Sequence, residues 1–349
     1  MKIFNRVENA LTEKLPFVIY KKPNSDFLQG FFQKDKEVNY SNNLDNDSGF
    51  VFAPFNDEKS PILFSGANSV VEKERINIEV NFPLDKISEN NSQKDFHVHL
   101  VQKGVEAIQN NGFRKVVLSR KEEVILSSGL NEFEVFSRLL KKYPTAFVYF
   151  WYHPKVGKWM GATPETLISI KGKEFKTMSL AGTQVYQEGL DPNWSTKEIE
   201  EQYIVTDYIS EKLQPICQEL RIADLETIKI GNLLHLRTLV KGKVRGNISR
   251  LIKELHPTPA VCGLPKHSAK EFIMNEEGYD REFYTGFLGE LNLDENSQVS
   301  NLYVNLRCMK LTSANAVNVY VGGGITSDSN PEKEWLETVA KSAAMKSVL

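Results

Sequence analysis

Cysteine and long apolar runs are scarce in this sequence of 349 residues. The three cysteines, Cys217, Cys262 and Cys308, are odd in number and form no C-x-x-C pair, which excludes a readable disulfide framework or thiolate zinc site. No stretch approaches ~18 uninterrupted apolar residues, so no membrane-spanning helix is predicted. Positive and negative charges are nearly balanced, because the sequence contains 43 Lys and Arg residues and 45 Asp and Glu residues. This balance argues against nucleic acid or an anionic membrane as the main partner.

The first residues also lack the sustained apolar segment of a secretory signal peptide. We expect the three cysteines to be reduced and buried, and the protein to be cytoplasmic. The composition is otherwise that of a globular protein, with 41% hydrophobic and 25% charged residues. A chain of this length can bury a large core, either in two units or in one large domain.

Residues 1–90 differ in character from the rest of the chain. Short apolar runs alternate there with polar, turn-rich stretches, which predicts a region of strands and loops. The apolar runs are Phe17–Tyr20, Phe50–Phe55 and Ile62–Phe64. The polar run Asn90–Gln93 is predicted to be a link.

Periodicity is clearer after residue 94. The spacing of Val98, Val101, Val105 and Ile108 predicts a helix, and a second helix is predicted to begin at Asn131, with Glu134 three residues on. The predicted strands are 115–119, 146–152, 167–170 and 174–180, the last two forming a hairpin. Strands joined by tight turns favour antiparallel sheets with helices outside, an α+β fold rather than a βαβ repeat.

Acidic residues lie on the apolar side of a helix predicted after Ser195. Its apolar stripe is Val205, Tyr208, Ile209 and Leu213. Glu198 and Glu201 fall on this stripe, whereas Glu200 falls on the other side. Carboxylates that face a core are costly unless something neutralises them. They are either first-turn acids favoured by the helix dipole or part of a functional site.

A second acid pair lies on the C-terminal helix, which is predicted to begin at Asn330-Pro331. Its apolar face is predicted to comprise Leu336, Val339, Ala340 and Ala343. Glu334, Glu337 and Lys341 share the opposite face, where a solvated Glu–Lys pair is one interpretation. The other interpretation joins the carboxylates of both helices into a Mg²⁺ site, because acids without His or Cys suit a hard cation.

The run Gly322-Gly323-Gly324 matches neither G-x-G-x-x-G nor a P-loop. Its backbone amides could approach a substrate carboxylate without obstruction by a Cβ, or the run is simply a tight turn. Arg307 is predicted to lie within one strand, Leu302–Lys310. There it either points to solvent or forks onto a carboxylate.

Two further residues each allow a structural and a catalytic interpretation. Lys115 opens an apolar strand and is either an edge lysine or a general base in a cleft. Glu165 follows a rigid Thr-Pro turn and is either an exposed acid or a general acid that faces a lysine. His97, His99 and His153 have no triad-like or metal-like setting, so they are predicted to be structural.

Nine blocks of this sequence resemble, in order, those of the chorismate-utilising enzymes. They are KVVLSR (115–120), GATPETL (161–167), SLAGT (179–183), 198–205, HLRT (235–238), HPTPAVCGLP (256–265), YDREFYTG (279–286), VGGGI (321–325) and EWLET (334–338). The resemblance implies an α+β fold like that of anthranilate synthase component I, a sandwich of large antiparallel sheets with outer helices. It also implies one domain over residues 1–349, with a divergent N-terminal part at 1–90 and a motif-bearing catalytic part at 95–349.

Within this family the HPTPA block, with Ala260 after Pro259, resembles the isochorismate synthase branch. That branch adds water at C2 of chorismate and expels the C4 hydroxyl, for menaquinone or siderophore biosynthesis. The alternatives are a salicylate synthase, an aminating synthase of the anthranilate or aminodeoxychorismate type, and a silent chorismate-binding protein. For the isochorismate branch we expect a monomer without a glutaminase subunit and without a nucleic-acid or membrane partner.

The same resemblance implies roles for individual residues. Lys115 would activate the water, and Glu165 would protonate the leaving hydroxyl. Glu201 and Glu337 would hold Mg²⁺ against the ring carboxylate, with Glu198 and Glu334 in support. The substrate-binding residues would be Gly182, Thr183, His235, Ala260, Arg307, Gly322, Gly323 and Lys341.

Overall fold

The computed structural model describes residues 1–77, 92–127, 129–189, 191–230, 233–293 and 298–349. Asn90 and Asn91, half of the predicted link, lie outside the described residues. The helices of the described residues are α1 (Lys2–Glu13), α2 (Lys94–Gln109), α3 (Glu132–Lys142), α4 (Thr196–Leu213), α5 (Ile248–Leu255), α6 (Lys266–Glu276) and α7 (Pro331–Lys346). The predicted start of α3 is confirmed, because Asn131 Oδ1 accepts the amides of Phe133 and Glu134.

The described strands form two large antiparallel sheets, which confirms the predicted α+β sandwich. The first sheet contains β1 (Phe17–Lys21), β2 (Phe27–Gln33), β5 (Ser69–Arg75), β6 (Lys115–Ile125), β7 (Phe147–His153), β8 (Gly157–Thr163), β14 (Gly263–Leu264), β17 (Cys308–Leu311) and β18 (Ala316–Ile325). Its order is β14-β6-β18-β17-β8-β7-β1-β2-β5.

The second sheet contains β3 (Gly49–Ala53), β4 (Ile62–Ser65), β9 (Thr166–Lys171), β10 (Glu174–Val185), β11 (Cys217–Ile222), β12 (Glu226–Ile230), β13 (Leu233–Val244), β15 (Phe287–Leu291) and β16 (Val299–Val304). Its order is β11-β13-β10-β9-β16-β15-β3-β4, and β12 also pairs with β13. The predicted hairpin is present, since β9 and β10 pair around Lys171 and Glu174. Strands from residues 1–77 therefore belong to both sheets.

Aromatic side chains fill the layer between the sheets. Phe52 stacks on Phe283 with ring centroids 4.2 Å apart, and Phe147 stacks on Tyr303 at 4.3 Å. Strand β7 is buried along its whole length. Its alternate residues face this aromatic layer and an outer core under α1 and α3, because successive side chains of a strand point to opposite faces.

The prediction of only strands and loops before residue 90 is wrong at its start, where α1 forms. Ile3, Val7 and Ala10 recur at helical spacing and are buried in the outer core of the first sheet. Glu74 on the edge strand β5 accepts the amides of Lys2 and Ile3, so a distant strand caps this helix.

The predicted strand Leu302–Lys310 is also wrong, because the chain changes sheet within it. β16 ends at Val304 in the second sheet, and β17 begins at Cys308 in the first. Arg307 adopts a left-handed conformation with a φ of 47°, which breaks the extended backbone at the crossing. The crossing places Arg307 beside the opening between the two sheets.

The predicted apolar face of α7 does not face the core. Leu336 is 62% exposed, and Ala343 is exposed as well. The buried residues are Glu334, Trp335, Thr338, Ser342 and Met345. Arg120 provides partners for this buried face. Its Nε donates to Thr338 Oγ1 at 2.8 Å, and its guanidinium packs over the ring of Trp335. The helix therefore presents polar side chains to the protein interior.

Candidate active site

One pocket opens at the junction of the two sheets, between α4 and α7. It is lined by β6 and β18 of the first sheet and by β10 and β13 of the second. Most predicted site residues line it: Glu165, Gly182, Thr183, Glu201, His235, Ala260, Arg307, Gly322, Gly323, Glu337 and Lys341. Lys115, Glu198 and Glu334 do not line the pocket, but each lies next to a residue that does.

Lys115 is not an edge residue, because β6 lies between β14 and β18. Its side chain is fully buried, and Nζ lies 2.9 Å from Glu201 Oε1. The pair joins the first strand of the catalytic part to α4, and it places the lysine directly behind the pocket wall formed by Glu201. The interpretation of Lys115 as an edge lysine is therefore wrong, and its role as a general base stays a prediction.

Three carboxylates from two helices lie along the glycine run of β18. A Cβ on Gly323 would lie 3.4 Å from Glu334 Oε2 and 3.8 Å from Glu337 Oε1, and a Cβ on Gly324 would overlap Glu201 Oε1. Glu337 pairs with Lys341 at 2.6 Å, and Lys341 Nζ also lies 3.3 Å from the carbonyl of Gly322. Glu201 occupies the space that a side chain at residue 324 would fill, whereas Glu334 and Glu337 lie at ordinary contact distance from a Cβ at residue 323.

Glu198 has a different position from the other three acids. Its carboxylate accepts hydrogen bonds from the backbone amide of Ser195 at 2.9 Å and from the Ser195 hydroxyl, and the Ser195 side chain accepts the backbone amide of Glu198, which completes a capping box at the start of α4. Glu198 Cβ packs 3.1 Å from the position of a Cβ on Gly182. In this structure Glu198 thus caps the helix that carries Glu201.

The donor chemistry at the glycine run fits a hard divalent cation. Glu201, Glu334 and Glu337 offer oxygen ligands only, which Mg²⁺ prefers. Among the described residues, no group of three or more His, Cys, Asp or Glu side chains is already gathered around a common point as metal ligands. Lysines hold two of the acids here, Lys115 on Glu201 and Lys341 on Glu337.

Glu165 lies between β8 and β9 and is buried in the pocket wall. Burial raises the pKa of its carboxyl to about 8, against the opposing attraction of Lys115 and Lys341. The carboxyl is therefore protonated near neutral pH and can donate a proton to a group in the pocket.

A β-bulge in β10 forms the wall opposite β18. Ala181 pairs with Leu236 and Gln184 with Leu234, so two residues of β10, Gly182 and Thr183, oppose the single residue His235. Gly182 takes a φ of 68°, a left-handed conformation that glycine adopts without strain. Bulges of this kind redirect the backbone and side chains beside active sites.

His235 is held neutral between the bulge and Arg307. Its Nδ1 donates to the carbonyl of Gly182 at 3.0 Å, and Nε2 accepts from Arg307 Nη2 at 3.2 Å. Burial, followed by the nearby cations Arg307 and Lys341, lowers the pKa of His235 to about 3. Arg307 and Lys341 thus give this end of the pocket a positive charge suited to an anion.

A buried ion pair that we did not predict supports three segments of the wall. Arg281 pairs with Glu277, and its guanidinium donates to the carbonyls of Val117 at 2.7 Å and Val261 at 2.9 Å and to Thr285 Oγ1 at 3.2 Å. Val261 adjoins Ala260, so this pair fixes the loop that carries Ala260. The YDREFYTG block contains Arg281, but a motif alone does not reveal carbonyl contacts.

The predicted structural residues lie away from this pocket. His97 is buried 6.0 Å from the ring of Trp335, and His153 Nε2 contacts the carbonyl of Glu37. The three cysteines are buried and carry free thiols, as expected. No helix of the described residues combines the length and apolar character that crossing a membrane requires.

Comparison with known proteins identifies the family. A model of the chorismate binding enzyme family matches residues 65–349, so the chain belongs to the family of chorismate-binding enzymes. It is 29% identical to isochorismate synthase MenF of Escherichia coli over 72% of this chain and 59% of that protein. It is 32% identical to isochorismate synthase EntC of the same organism, over 67% of this chain and 62% of that protein.

The chain thus matches about six-tenths of the length of these curated relatives. Solved structures agree on the fold. The menaquinone-specific isochorismate synthase MenF of Escherichia coli aligns with a TM-score of 0.78 and 21% identity over 96% of this chain and 88% of that one. Anthranilate synthase component I of Streptococcus pneumoniae aligns with a TM-score of 0.67 and 18% identity, over 95% and 92%.

Proposed function

We propose that this protein is an isochorismate synthase, an isomerase that converts chorismate to isochorismate. The observation that carries the proposal is Glu165, buried in a pocket that also holds Arg307 and Lys341, where burial raises the pKa of its carboxyl. The reaction expels a hydroxyl, and a neutral carboxylic acid can supply the proton that the leaving oxygen needs. Two relatives named above, MenF and EntC of Escherichia coli, are isochorismate synthases and support the same reaction.

The proposed chemistry balances with two proton transfers. Lys115, as the neutral amine, takes a proton from water as the water oxygen bonds to C2 of chorismate. The ring double bonds shift, the C4–oxygen bond breaks, and Glu165 gives its proton to the departing hydroxyl, which leaves as water. Each assisted transfer contributes roughly 10²–10⁴-fold to the rate.

The remaining residues bind the two carboxylates of the substrate. We propose that Arg307, Lys341 and the amides of Gly182, Gly322 and Gly323 hold the pyruvyl carboxylate, while Thr183, His235 and Ala260 line the ring pocket. Glu201 and Glu337 would hold Mg²⁺, with Glu334 and Glu198 in support. Bound there, the cation would neutralise the charge of the ring carboxylate.

Several properties complete the proposal. The enzyme would act in the cytoplasm as a monomer, without a glutaminase subunit, and its product would serve menaquinone or siderophore biosynthesis. We also propose that the chain forms one domain, a proposal supported by the strands that residues 1–77 supply to both sheets.

Incubation of the protein with chorismate and Mg²⁺, followed by chromatography, tests the activity. We expect isochorismate without pyruvate, because isomerisation releases no pyruvate. Salicylate with pyruvate would instead identify a salicylate synthase, and an aminated product in ammonium would identify an aminating synthase. Binding of chorismate without any product would identify a silent chorismate-binding protein.

A further inference from the structure

Strand β10 separates from β9 before it reaches the pocket. The two strands pair only from Glu174 to Lys176 among the residues described, and β9 continues along β16. Past Lys176 the other side of β10 still pairs with β13. Beyond Lys176, the edge of β10 that no longer pairs with β9 contacts α4. The backbone N–H and C=O groups on this edge therefore need hydrogen-bond partners other than a strand.

Gln202 of α4 supplies these partners. Its side chain is buried, Oε1 accepts the backbone amide of Ala181 at 2.9 Å, and Nε2 donates to the carbonyl of Ser179 at 3.3 Å. In a parallel sheet, a single residue hydrogen-bonds to two groups of the neighbouring strand: a carbonyl at one residue and the amide two residues further on. The carboxamide of Gln202 therefore takes the place of the N–H and C=O of one residue of a neighbouring strand.

Further hydrogen bonds fix Gln202 against three elements. Nε2 also lies 2.8 Å from Ser179 Oγ and 3.2 Å from Thr238 Oγ1 of β13. Thr206, one turn further along α4, bonds Ser179 Oγ at 2.7 Å. The four side chains are buried, and a satisfied polar network in such a setting specifies one arrangement of its elements.

Both ends of this network adjoin the candidate site. Glu201 immediately precedes Gln202 on α4, and the bulge residues Gly182 and Thr183 immediately follow Ala181 on β10. The first turn of α4 packs against Gly182, where a Cβ would lie 3.1 Å from Glu198 Cβ. A shift of α4 along β10 would therefore displace Glu201 and the bulge relative to each other.

We propose that Gln202 is a positioning residue, whose carboxamide sets the register of α4 on the β10 bulge so that Glu201 and Gly182 face one pocket. The catalytic consequence rests on the proposed function, whereas the register itself does not. Gln202→Met tests it, because methionine has similar length but cannot make either backbone bond. Thr177→Val is the matched control, since it removes a buried bond of β10, from Thr177 Oγ1 to the Leu167 carbonyl, outside this network.

Steady-state kinetics give the first readout. We expect Gln202→Met to lower kcat/KM for chorismate and to raise the half-saturating Mg²⁺ concentration by about tenfold or more, the scale of small misplacements at a site. Thr177→Val should stay within about twofold of wild type, because the bond it removes lies outside this network, and its Tm should fall less because it removes one hydrogen bond only. Wild-type kinetics in Gln202→Met, or an equal loss in Thr177→Val, would overturn the proposal.

Hydrogen exchange of the peptide containing Ala181, measured by mass spectrometry without substrate or metal, gives a readout independent of activity. We expect about tenfold faster exchange in Gln202→Met and unchanged exchange in Thr177→Val, because only the first loses the acceptor of the Ala181 amide. Unchanged exchange in Gln202→Met would contradict the register role. If Gln202→Met does not fold, Ser179→Ala replaces it: this variant removes the Ser179 Oγ bonds that hold Gln202 and Thr206 but keeps the acceptor of the Ala181 amide, so both readouts should change in the same direction by a smaller factor, and no change in either would overturn the proposal. An inactive wild type would refute the proposed function and leave the exchange result valid.

Discussion

Gly324 and Glu201 face each other with no room for a side chain at residue 324. A Cβ on Gly324 would lie 2.9 Å from Glu201 Cδ and would overlap Oε1. At Gly323 the nearest atom, Glu334 Oε2, is 3.4 Å away, an ordinary contact. Gly324 does not adopt a left-handed conformation, so the requirement is for space rather than for backbone freedom.

This difference predicts unequal effects of alanine in the glycine run. Gly324→Ala should fold, because the flexible end of Glu201 can move aside, but activity should fall by about tenfold or more because that carboxylate is displaced. Gly323→Ala should lose less, no more than about threefold, since its Cβ fits without movement and the backbone amide proposed to bind the substrate is kept. Steady-state kinetics and the Tm of both variants measure the difference. Equal activities would show that activity does not depend on the position of the Glu201 carboxylate beside Gly324.

Lys115→Ala should abolish turnover, because Lys115 is proposed to accept the proton of water. The expected loss in kcat is roughly 10²–10⁴-fold. Lys121→Ala, on the same strand but half-buried over the ring of Tyr279, serves as control and should remain active. Single-turnover measurements on both variants test this role. A Lys115→Ala enzyme that keeps more than about a tenth of wild-type kcat would exclude Lys115 as the base.

The sequence predicts those parts of the fold and of the candidate site that depend on the spacing of residues within one helix or strand. The stripe of Val205, Tyr208 and Ile209 predicts that Glu201 is on the inner side of α4 and Glu200 outside, and Glu200 is exposed. The antiparallel sandwich also follows from short strands and tight turns. These features depend on helical or strand periods and need no knowledge of distant contacts.

Other features depend on contacts that no local period encodes. The side chains of α7 that are buried are mostly polar, since they face Arg120 and the pocket, so the rule that apolar residues face inward selects the wrong side. Residues 302–310 have the composition of one strand, yet the chain changes sheet at Arg307. The pairing of Lys115 with Glu201 and the capping of α1 by Glu74 likewise join residues far apart in sequence.

Removal of divalent cations should stop the reaction, and Mg²⁺ alone should restore it. Glu337→Gln removes one charge from the proposed cation site and should raise the half-saturating Mg²⁺ concentration by roughly tenfold or more. Glu332→Gln, an exposed acid one turn earlier on α7 that pairs with Lys94, should behave as wild type. Titration of Mg²⁺ into the chelator-treated variants measures both, and full activity in excess chelator would contradict the site.

Glu165 should impose an upper pH limit on turnover. Its pKa of about 8 means that the proton-donating form predominates below pH 8 and is lost above it, so kcat should fall as pH rises through this value. Glu165→Gln should lower kcat with little change in KM, because an amide donates a hydrogen bond but no proton. A large rise in KM alone would assign Glu165 to binding.

The raised pKa of Glu165 also affects stability. The folded protein favours the protonated carboxyl, whose stabilising contribution is complete below the unfolded pKa near 4.5 and declines as pH rises to about 8. Between these two pKa values, the free energy of unfolding decreases by up to about 1.4 kcal/mol per pH unit. Glu165→Gln should therefore lose less stability than wild type between pH 5 and pH 8. Denaturant unfolding across this range measures the difference, and parallel curves would contradict the pKa.

Ala260 should decide whether water or ammonia serves as nucleophile. Its methyl group lines the pocket on a loop whose neighbour Val261 is held by Arg281, so the wall beside the ring is fixed and offers no hydrogen bond of its own. Ala260→Thr adds a hydroxyl that can displace an ordered water or bind ammonia, as the aminating relatives are expected to do. We expect less isochorismate from this variant and, in high ammonium, some aminated product, whereas wild type should ignore ammonium. Chromatography of both products with and without ammonium chloride measures this, and ready amination by wild type would place the protein with the aminating synthases.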